Sequence, residues 1–236
     1  MNLEQTIDSY IASPETVALV RDSRVALLVG ISGAGKDTIK KKLLEKEDYK
    51  DIISHTTRAP RVNNGLLERD GTDYHFITNQ TALTMLTQQA FIEAKFVHAT
   101  VYGTSSLEVR LAHDAHKIAI TDIDVQGVDE YKQISRDVVA IFILPPSYGV
   151  WRDRLRQRYE SPEAFDAEWD KRRTSAIKEL RQALSVPYYH FIINDALEHS
   201  VRIVDEIAHQ GDHFYRKDDE ARLVARTILD EIISNN

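Results

Sequence analysis

The chain contains no cysteine, so neither a disulfide framework nor a thiolate metal site can belong to its chemistry. Long hydrophobic runs are also missing. No stretch approaches the twenty or so apolar residues that span a bilayer, and no cleavable apolar leader opens the sequence. A reducing cytoplasm is therefore the expected compartment, with no membrane partner. Excess positive charge is lacking as well: the formal net charge is −7, and non-specific nucleic-acid binding needs many cations set against phosphates. A phosphate-bearing ligand must instead meet local arginine clusters. Two are present, at Arg58 and Arg61 and again from Arg152 to Arg173.

No low-complexity tract suggests disorder, and 42% hydrophobic with 28% charged residues is ordinary globular composition. A length of 236 residues suits one compact α/β unit with one or two inserted subdomains. Met1 to Ser23 reads as a polar-faced helix and connector without a motif. Val25 to Val29 is a continuous apolar run ended by Gly30, as expected of a strand buried on both faces, and a helical pattern follows. Further strands are expected at Asp73–Ile77, Phe91–Val97, Lys117–Ile123, Val138–Leu144 and His190–Ile193. Helices are expected from Thr81 to Gln89, from Ser105 to His113 with capping-box spacing to Glu108, from Gln126 to Ser135 and from Leu197 to His209. The charged stretch from Ser147 to Ala183 should be two helices broken at Ser161-Pro162. After a turn at Gly211-Asp212, a last amphipathic helix should carry Leu223, Ile228 and Ile232 on one side.

The sharpest motif is Gly30-Ile-Ser32-Gly33-Ala34-Gly35-Lys36-Asp37-Thr38, which has GxxxxGK spacing between a buried strand and a helix. Glycines let the backbone turn tightly and aim several N–H groups at phosphate oxygens, and the helix dipole adds positive potential. Lys36 would contact the β and γ phosphates and neutralise charge during transfer. The departure is Asp37, where the motif ordinarily has Ser or Thr to hold Mg²⁺, with Thr38 one place later. An aspartate beside a triphosphate is tolerable if it faces Mg²⁺ or a neighbouring cation.

Ser54-His-Thr-Thr-Arg58-Ala-Pro-Arg61 sets two guanidinia three residues apart, suited to a phosphate dianion. Asp73-Tyr74-His-Phe76 and Tyr102-Gly103-Thr104-Ser105 add tyrosine and other hydroxyls. With the glycine loop, Phe91-Ile-Glu93, Thr121-Asp122-Ile-Asp124-Val-Gln-Gly127 and Phe142-Ile-Leu-Pro-Pro-Ser147, the ordered set resembles the guanylate kinase family from about Val25 to Ala208. The resemblance implies an α/β fold: a P-loop NTPase core (residues 24–209) with a parallel sheet flanked by helices. It also implies a small mixed GMP-binding subdomain near 54–111 and a helical lid near 147–173, with extensions at 1–23 and 210–236.

What it implies for function is transfer of a phosphoryl group from ATP, with Mg²⁺, to GMP and dGMP. Ser32, Gly33, Ala34, Gly35, Lys36, Asp37, Thr38 and Asn194 would hold ATP. Arg58, Arg61, Tyr74 and Tyr102 would hold the acceptor phosphate, and Ser54, Glu93, Gly103, Thr104, Asp122 and Asp124 would complete the GMP pocket. Lys36, Arg58, Arg154, Arg158 and Arg172 would be catalytic, and Asp37, Thr38 and Asp122 would approach the metal. A carboxylate at Glu93 accepts hydrogen bonds from guanine N1–H and its amine, whereas adenine N1 would face it repulsively. Asp122 and Asp124 also read as caps for the helix that follows, and the lid arginines also read as a charged helical surface. The extra residues between Arg61 and Glu68 read as a longer surface loop. Two other functions stay open: a ribose 1,5-bisphosphate phosphokinase-like enzyme, and an inactive guanylate-kinase-like protein-binding module.

Overall fold

The computed structural model describes residues 3–63, 65–97, 99–211 and 218–235. Along the chain run α1 (Leu3–Asp8), α2 (Pro14–Asp22), β1 (Val25–Val29), α3 (Lys36–Leu44), β2 (Tyr49–Asp51), β3 (His55–Thr56), β4 (Val62–Asn63), β5 (Leu66–Leu67) and β6 (His75–Phe76). They are followed by α4 (Asn79–Thr87), β7 (Phe91–Val97), β8 (Thr100–Ser105), α5 (Ser106–Asp114), β9 (Ile118–Asp122), α6 (Val125–Ile134) and β10 (Val139–Leu144). The chain closes with α7 (Tyr148–Arg156), α8 (Pro162–Ser185), β11 (Tyr189–Ile193), α9 (Leu197–Gln210) and α10 (Asp219–Ser234). These elements form two compact units, one of Met1–Val25, Glu47–Thr121 and Glu130–Val138, the other of Ala26–Lys46, Asp122–Asp129 and Val139–Asn236.

The second unit carries the parallel strands β1, β10 and β11, with Ala26 opposite Val139 and Ile141 opposite His190. Every residue of β1 and β10 is buried, which is why both read as unbroken apolar runs rather than alternating ones. Helices flank this sheet. Helix α9 buries Val201, Val204 and Ile207, and α10 buries Ala225, Ile228 and Ile232. Leu223, expected on the same side of α10, is instead 63% exposed. Arg222 anchors α10: its Nη2 donates to the Tyr189 carbonyl at 3.0 Å, and its guanidinium lies 4.6 Å from the Phe191 ring centre. Helix α8 starts where Ser161-Pro162 announced it, with the Ser161 hydroxyl accepting from Ala164 N at 3.2 Å and proline in the first turn. The expected turn residue Asp212 lies outside the described residues.

The first unit holds a four-stranded sheet in the order β6-β3-β8-β7 and a parallel pairing of β2 with β9. Its small core is built from Ile7, Ala82, Leu86, Phe91 and Val101, so the N-terminal residues are two helices, α1 and α2, with α1 contributing to a core. The extra residues after Arg61 lie at the surface as expected, with Val62, Leu66 and Leu67 all exposed, but as paired strands and not as an irregular loop. They form the hairpin β4–β5, Val62 opposite Leu67, with Gly65 at φ 77° beside the turn, because Val and Leu on both sides favour pairing. The capping box also fails. Ser105 is the N-cap but makes no side-chain cap bond, and Glu108 turns away to bond His75 Nε2 at 3.0 Å and Ile53 N at 3.3 Å. Placed in the buried wall between strand and helix, Glu108 gains two partners there and is lost to the helix terminus.

Candidate active site

In the second unit, the loop from Gly30 to Gly35 joins β1 to α3 through three left-handed glycines, at φ 138°, 89° and 99° for Gly30, Gly33 and Gly35. A Cβ at Gly30 would fall on the Ile143 carbonyl, and one at Gly35 on the Asn194 amide, so both positions demand glycine for space as well as for φ. Lys36 arches over the loop, its Nζ donating to the Gly30 carbonyl at 2.5 Å. Asn194, at the end of β11, donates to the Ala34 carbonyl at 2.9 Å. The buried Trp151 donates from Nε1 to the Ser32 carbonyl at 2.8 Å. The loop is thus clamped from two sides before any ligand arrives.

The arginines of α7 join the same assembly. Arg154 donates to the Asn194 carbonyl at 3.0 Å, and Arg158 reaches the Ser32 hydroxyl at 3.3 Å. Arg172, on α8, is held elsewhere, by the Tyr159 hydroxyl at 3.0 Å. Rings of Trp151, Trp169, Phe165 and Tyr159 run in succession with centroids 5.4, 5.3 and 5.8 Å apart, tying α7 to α8 through aromatic contact.

Asp37 and Thr38 stand exposed in the first turn of α3. Asp122 pairs with Lys40 at 2.9 Å and is 38% exposed. Crowding by protein atoms works to raise its pKa, but the charges of Lys40 and Lys36 prevail and hold it below the usual carboxylate value. Asp124 accepts from Gly127 N at 2.7 Å, capping α6. Glu179 on α8, which carried no signal in sequence, is pushed up by burial, although the Ser175 hydroxyl and Lys36 oppose the shift and Asp124 adds to it. It is therefore an electrostatic neighbour of both the loop lysine and Asp124.

In the first unit, Arg58 makes a two-pronged pair with Glu68, Nη1 to Oε2 at 2.7 Å and Nη2 to Oε1 at 3.0 Å. Its guanidinium lies 5.2 Å from the Tyr74 ring centre, and Tyr74 meets Tyr102 edge-on at 6.1 Å. The Glu68 hydrogen bonds raise the Arg58 pKa further, against the effect of burial, with the Tyr102 hydroxyl adding to the rise. Arg58, Tyr74 and Tyr102 are thus gathered in one place. Arg61 is exposed, and Glu68 holds its backbone N at 2.8 Å. Glu68 announces no role by spacing; only folding shows that it orients the Arg58 guanidinium and holds the Arg61 backbone.

Glu93 is buried on β7 at 7% exposure, and the Thr104 hydroxyl donates to its Oε1 at 2.8 Å. Gly103 gives β7 room, since a Cβ there would crowd the Glu93 carbonyl at 2.8 Å. The carbonyl of Ser54, at the mouth of β3, accepts from His75 N at 2.9 Å. Tyr131 of α6 is fully buried, and its pKa is raised by burial first and then by the Glu93 charge. No sequence pattern pointed to Tyr131, because an aromatic at helical spacing reads as core.

Among the described residues no cluster of three or more His, Asp or Glu side chains could hold a metal by itself, and no helix is long and apolar enough to cross a membrane. The family model described as "Guanylate kinase" matches residues 22–210. A guanylate kinase of Clostridium perfringens strain 13 is 39% identical over 191 residues, covering 79% of this chain and 84% of that protein. One from Sus scrofa is 36% identical over 179 residues, covering 74% and 86%. The crystal structure of guanylate kinase from Anaplasma phagocytophilum superposes with a TM-score of 0.58 at 24% identity, covering 92% of this chain and 97% of that one, a likeness of fold.

Proposed function

Since the chain belongs to the guanylate kinase family, we propose that it moves the γ-phosphoryl group of ATP directly onto the phosphate of GMP, and of dGMP, with the residues assembled above. The observation that carries the reading is the finished state of both ligand sets. The loop lysine and its glycines are intact, and Arg58 is locked beside Tyr74 while Glu93 is buried against Thr104.

Lys36 and the loop amides bind and neutralise the donor phosphates. Asn194, which clasps Ala34, also borders the donor base. Arg58, oriented by Glu68, takes two oxygens of the acceptor phosphate, with Arg61, Tyr74 and Tyr102 completing the cradle. Glu93 reads the guanine edge, aided by Ser54, Gly103, Thr104, Asp122 and Asp124. Arg154, Arg158 and Arg172 stabilise charge spread over the equatorial oxygens of the transition state, and their helices exclude water.

The oxygen donors Asp37, Thr38 and Asp122 suit Mg²⁺, a hard cation that keeps several waters and leans on substrate phosphates. Asp122 is held ionised by Lys40 and Lys36, which fits that role. The metal supplies neutralisation of phosphate charge. A cytoplasmic setting, with no nucleic-acid or membrane partner, accords with the composition.

ADP release measured with GMP, dGMP, AMP and ribose 1,5-bisphosphate tests the proposal. GMP is expected to dominate, and Glu93→Gln is expected to lose preference for GMP over AMP. Preference for the ribose bisphosphate, or GMP binding without turnover, would overturn it in favour of a small-phosphate kinase or a non-catalytic module.

A further inference from the structure

Strand β7 is irregular where it matters most. Phe91 pairs with Ser105 on β8, but Glu93, two residues on, pairs with Thr104, one residue back. Ile92 is therefore the extra residue of a bulge. Had the ladder run on regularly from the Phe91 pairing, Ile92 would face Thr104 and Glu93 would face Gly103, because a one-residue slip turns every side chain to the other face. The bulge is what brings the Glu93 carboxylate to the Thr104 hydroxyl at 2.8 Å.

Something must hold the bulge, since β7 is the last strand of its sheet and an edge strand has backbone groups unpaired by its neighbour. One side chain does so. The Tyr10 hydroxyl donates to the Phe91 carbonyl at 2.6 Å and accepts from the Phe91 N–H at 3.0 Å. Only a group that both donates and accepts can serve both backbone atoms. The Tyr10 and Phe91 rings also meet edge-on at 6.5 Å. Tyr10 is itself fixed: its N–H donates to the Ile7 carbonyl at 2.9 Å, and Gln89 Nε2 donates to the Ile11 carbonyl at 2.9 Å. Burial, partly offset by the Phe91 bond and reinforced by Glu93, raises the Tyr10 pKa to about 12, so the proton it donates is always present near neutrality. Residues 1–21 precede the stretch matched by the family model, so this clasp comes from a segment outside it.

We propose that Tyr10 is a positioning residue for base selection: its hydroxyl pins Phe91, fixes the bulge at Ile92, and thereby sets Glu93 opposite Thr104. The N-terminal helices are in this way part of the specificity apparatus. The inference rests on the reading of Glu93 as the guanine-recognising group. Glu93 accepts two hydrogen bonds from guanine but one from hypoxanthine, which lacks the amine, so the GMP-to-IMP ratio of kcat/KM reports the carboxylate's placement.

The test compares wild type with Tyr10→Phe, Gln89→Ala, Ile7→Val and Glu93→Gln in the full chain. Tyr10→Phe keeps the ring and should lower the GMP-to-IMP ratio about tenfold, the usual consequence of losing a buried hydrogen bond, through KM for GMP with kcat within about twofold. The Phe91 amide should exchange faster with solvent. Gln89→Ala, which frees the Ile11 carbonyl, should lower the ratio in the same direction and keeps the test open if Tyr10→Phe folds poorly. Ile7→Val trims the core that Phe91 shares while keeping the Tyr10 hydroxyl and both of its bonds to Phe91, and should lower Tm while leaving the ratio alone. If Glu93→Gln collapses the ratio while Tyr10→Phe and Gln89→Ala do not, the positioning role is wrong and the Glu93 reading stands. If Glu93→Gln also leaves the ratio unchanged, both fall. A ratio that tracks Tm across all variants, Ile7→Val included, would reduce Tyr10 to a stabilising contact and overturn the proposal.

Discussion

His55 shows how much a single side chain can carry without taking part in chemistry. It lies between Ser54 and the Thr-Thr-Arg run, its ring 4.6 Å from His75 and edge-on to Phe91 at 5.8 Å. Its Nδ1 is buried with no hydrogen-bond partner among the described residues. Burial and then the His75 charge lower its pKa from 6.5 to about 4, against weaker pulls from Glu108 and Asp70. A depressed pKa means that, between 6.5 and 4, the unfolded chain takes up a proton that folded His55 refuses, so the stability it contributes is present above 6.5 and lost as the pH falls toward 4. His55→Phe preserves the ring contacts and strands no polar partner of Nδ1. Melting curves at pH 7.5 and 4.5 should show a smaller acid loss of Tm for the variant, by several degrees, given that about 1 kcal/mol moves Tm by about 2–4 °C at this chain length. Equal losses for both proteins would show that His55 does not titrate in this window.

Among the elements, legibility followed the strength of local constraint. Strand β1, the glycine loop and α3 were readable because phosphate binding imposes residue types at fixed spacing, and the start of α8 because Ser-Pro is a helix opening. Strands β2 and β3 went unseen: at three and two residues they are too short for any period to show. The capping box failed because Glu108 answers to His75 and Ile53, partners 33 and 55 residues away. Glu68 and Tyr10 failed to register for the same reason, since their roles lie in tertiary partners and not in neighbours. The phosphate loop is also where a local change should be least tolerated. Gly35→Ala places a methyl on the Asn194 amide at a φ of 99°, and strain there adds to the loss of the clasp on Ala34. A titration with a non-hydrolysable ATP analogue should show affinity down by at least about tenfold, with GMP affinity within about twofold of wild type. Undiminished analogue binding would mean that the loop relaxes freely and that Asn194 is not part of the donor site.

Taken entire, the chain divides its labour. The residues assigned to the donor nucleotide and the transferring phosphoryl group, Lys36 with Ser32, Asn194, Arg154 and Arg158, all belong to the unit containing Ala26–Lys46 and Val139–Asn236. Those assigned to the acceptor phosphate, Arg58 with Tyr74 and Tyr102, belong to the unit containing Glu47–Thr121. The net charge of −7 works against a general affinity for anions, so each set must capture its nucleotide by local cations and geometry. Binding of either nucleotide alone should then stabilise the unit that holds it. At about 100 times the dissociation constant a ligand adds about 2.7 kcal/mol to the opening free energy, close to 100-fold slower exchange for amides released only by that opening. GMP alone should slow exchange in β3, β7 and β8, and a non-hydrolysable ATP analogue alone should slow it in the loop and α3. Arg58→Ala should remove the first effect and keep the second. Hydrogen exchange read by mass spectrometry decides the matter: protection by GMP confined to the Gly30–Lys36 loop would place the acceptor on the donor's cradle and overturn the assignment of Arg58, Tyr74 and Tyr102.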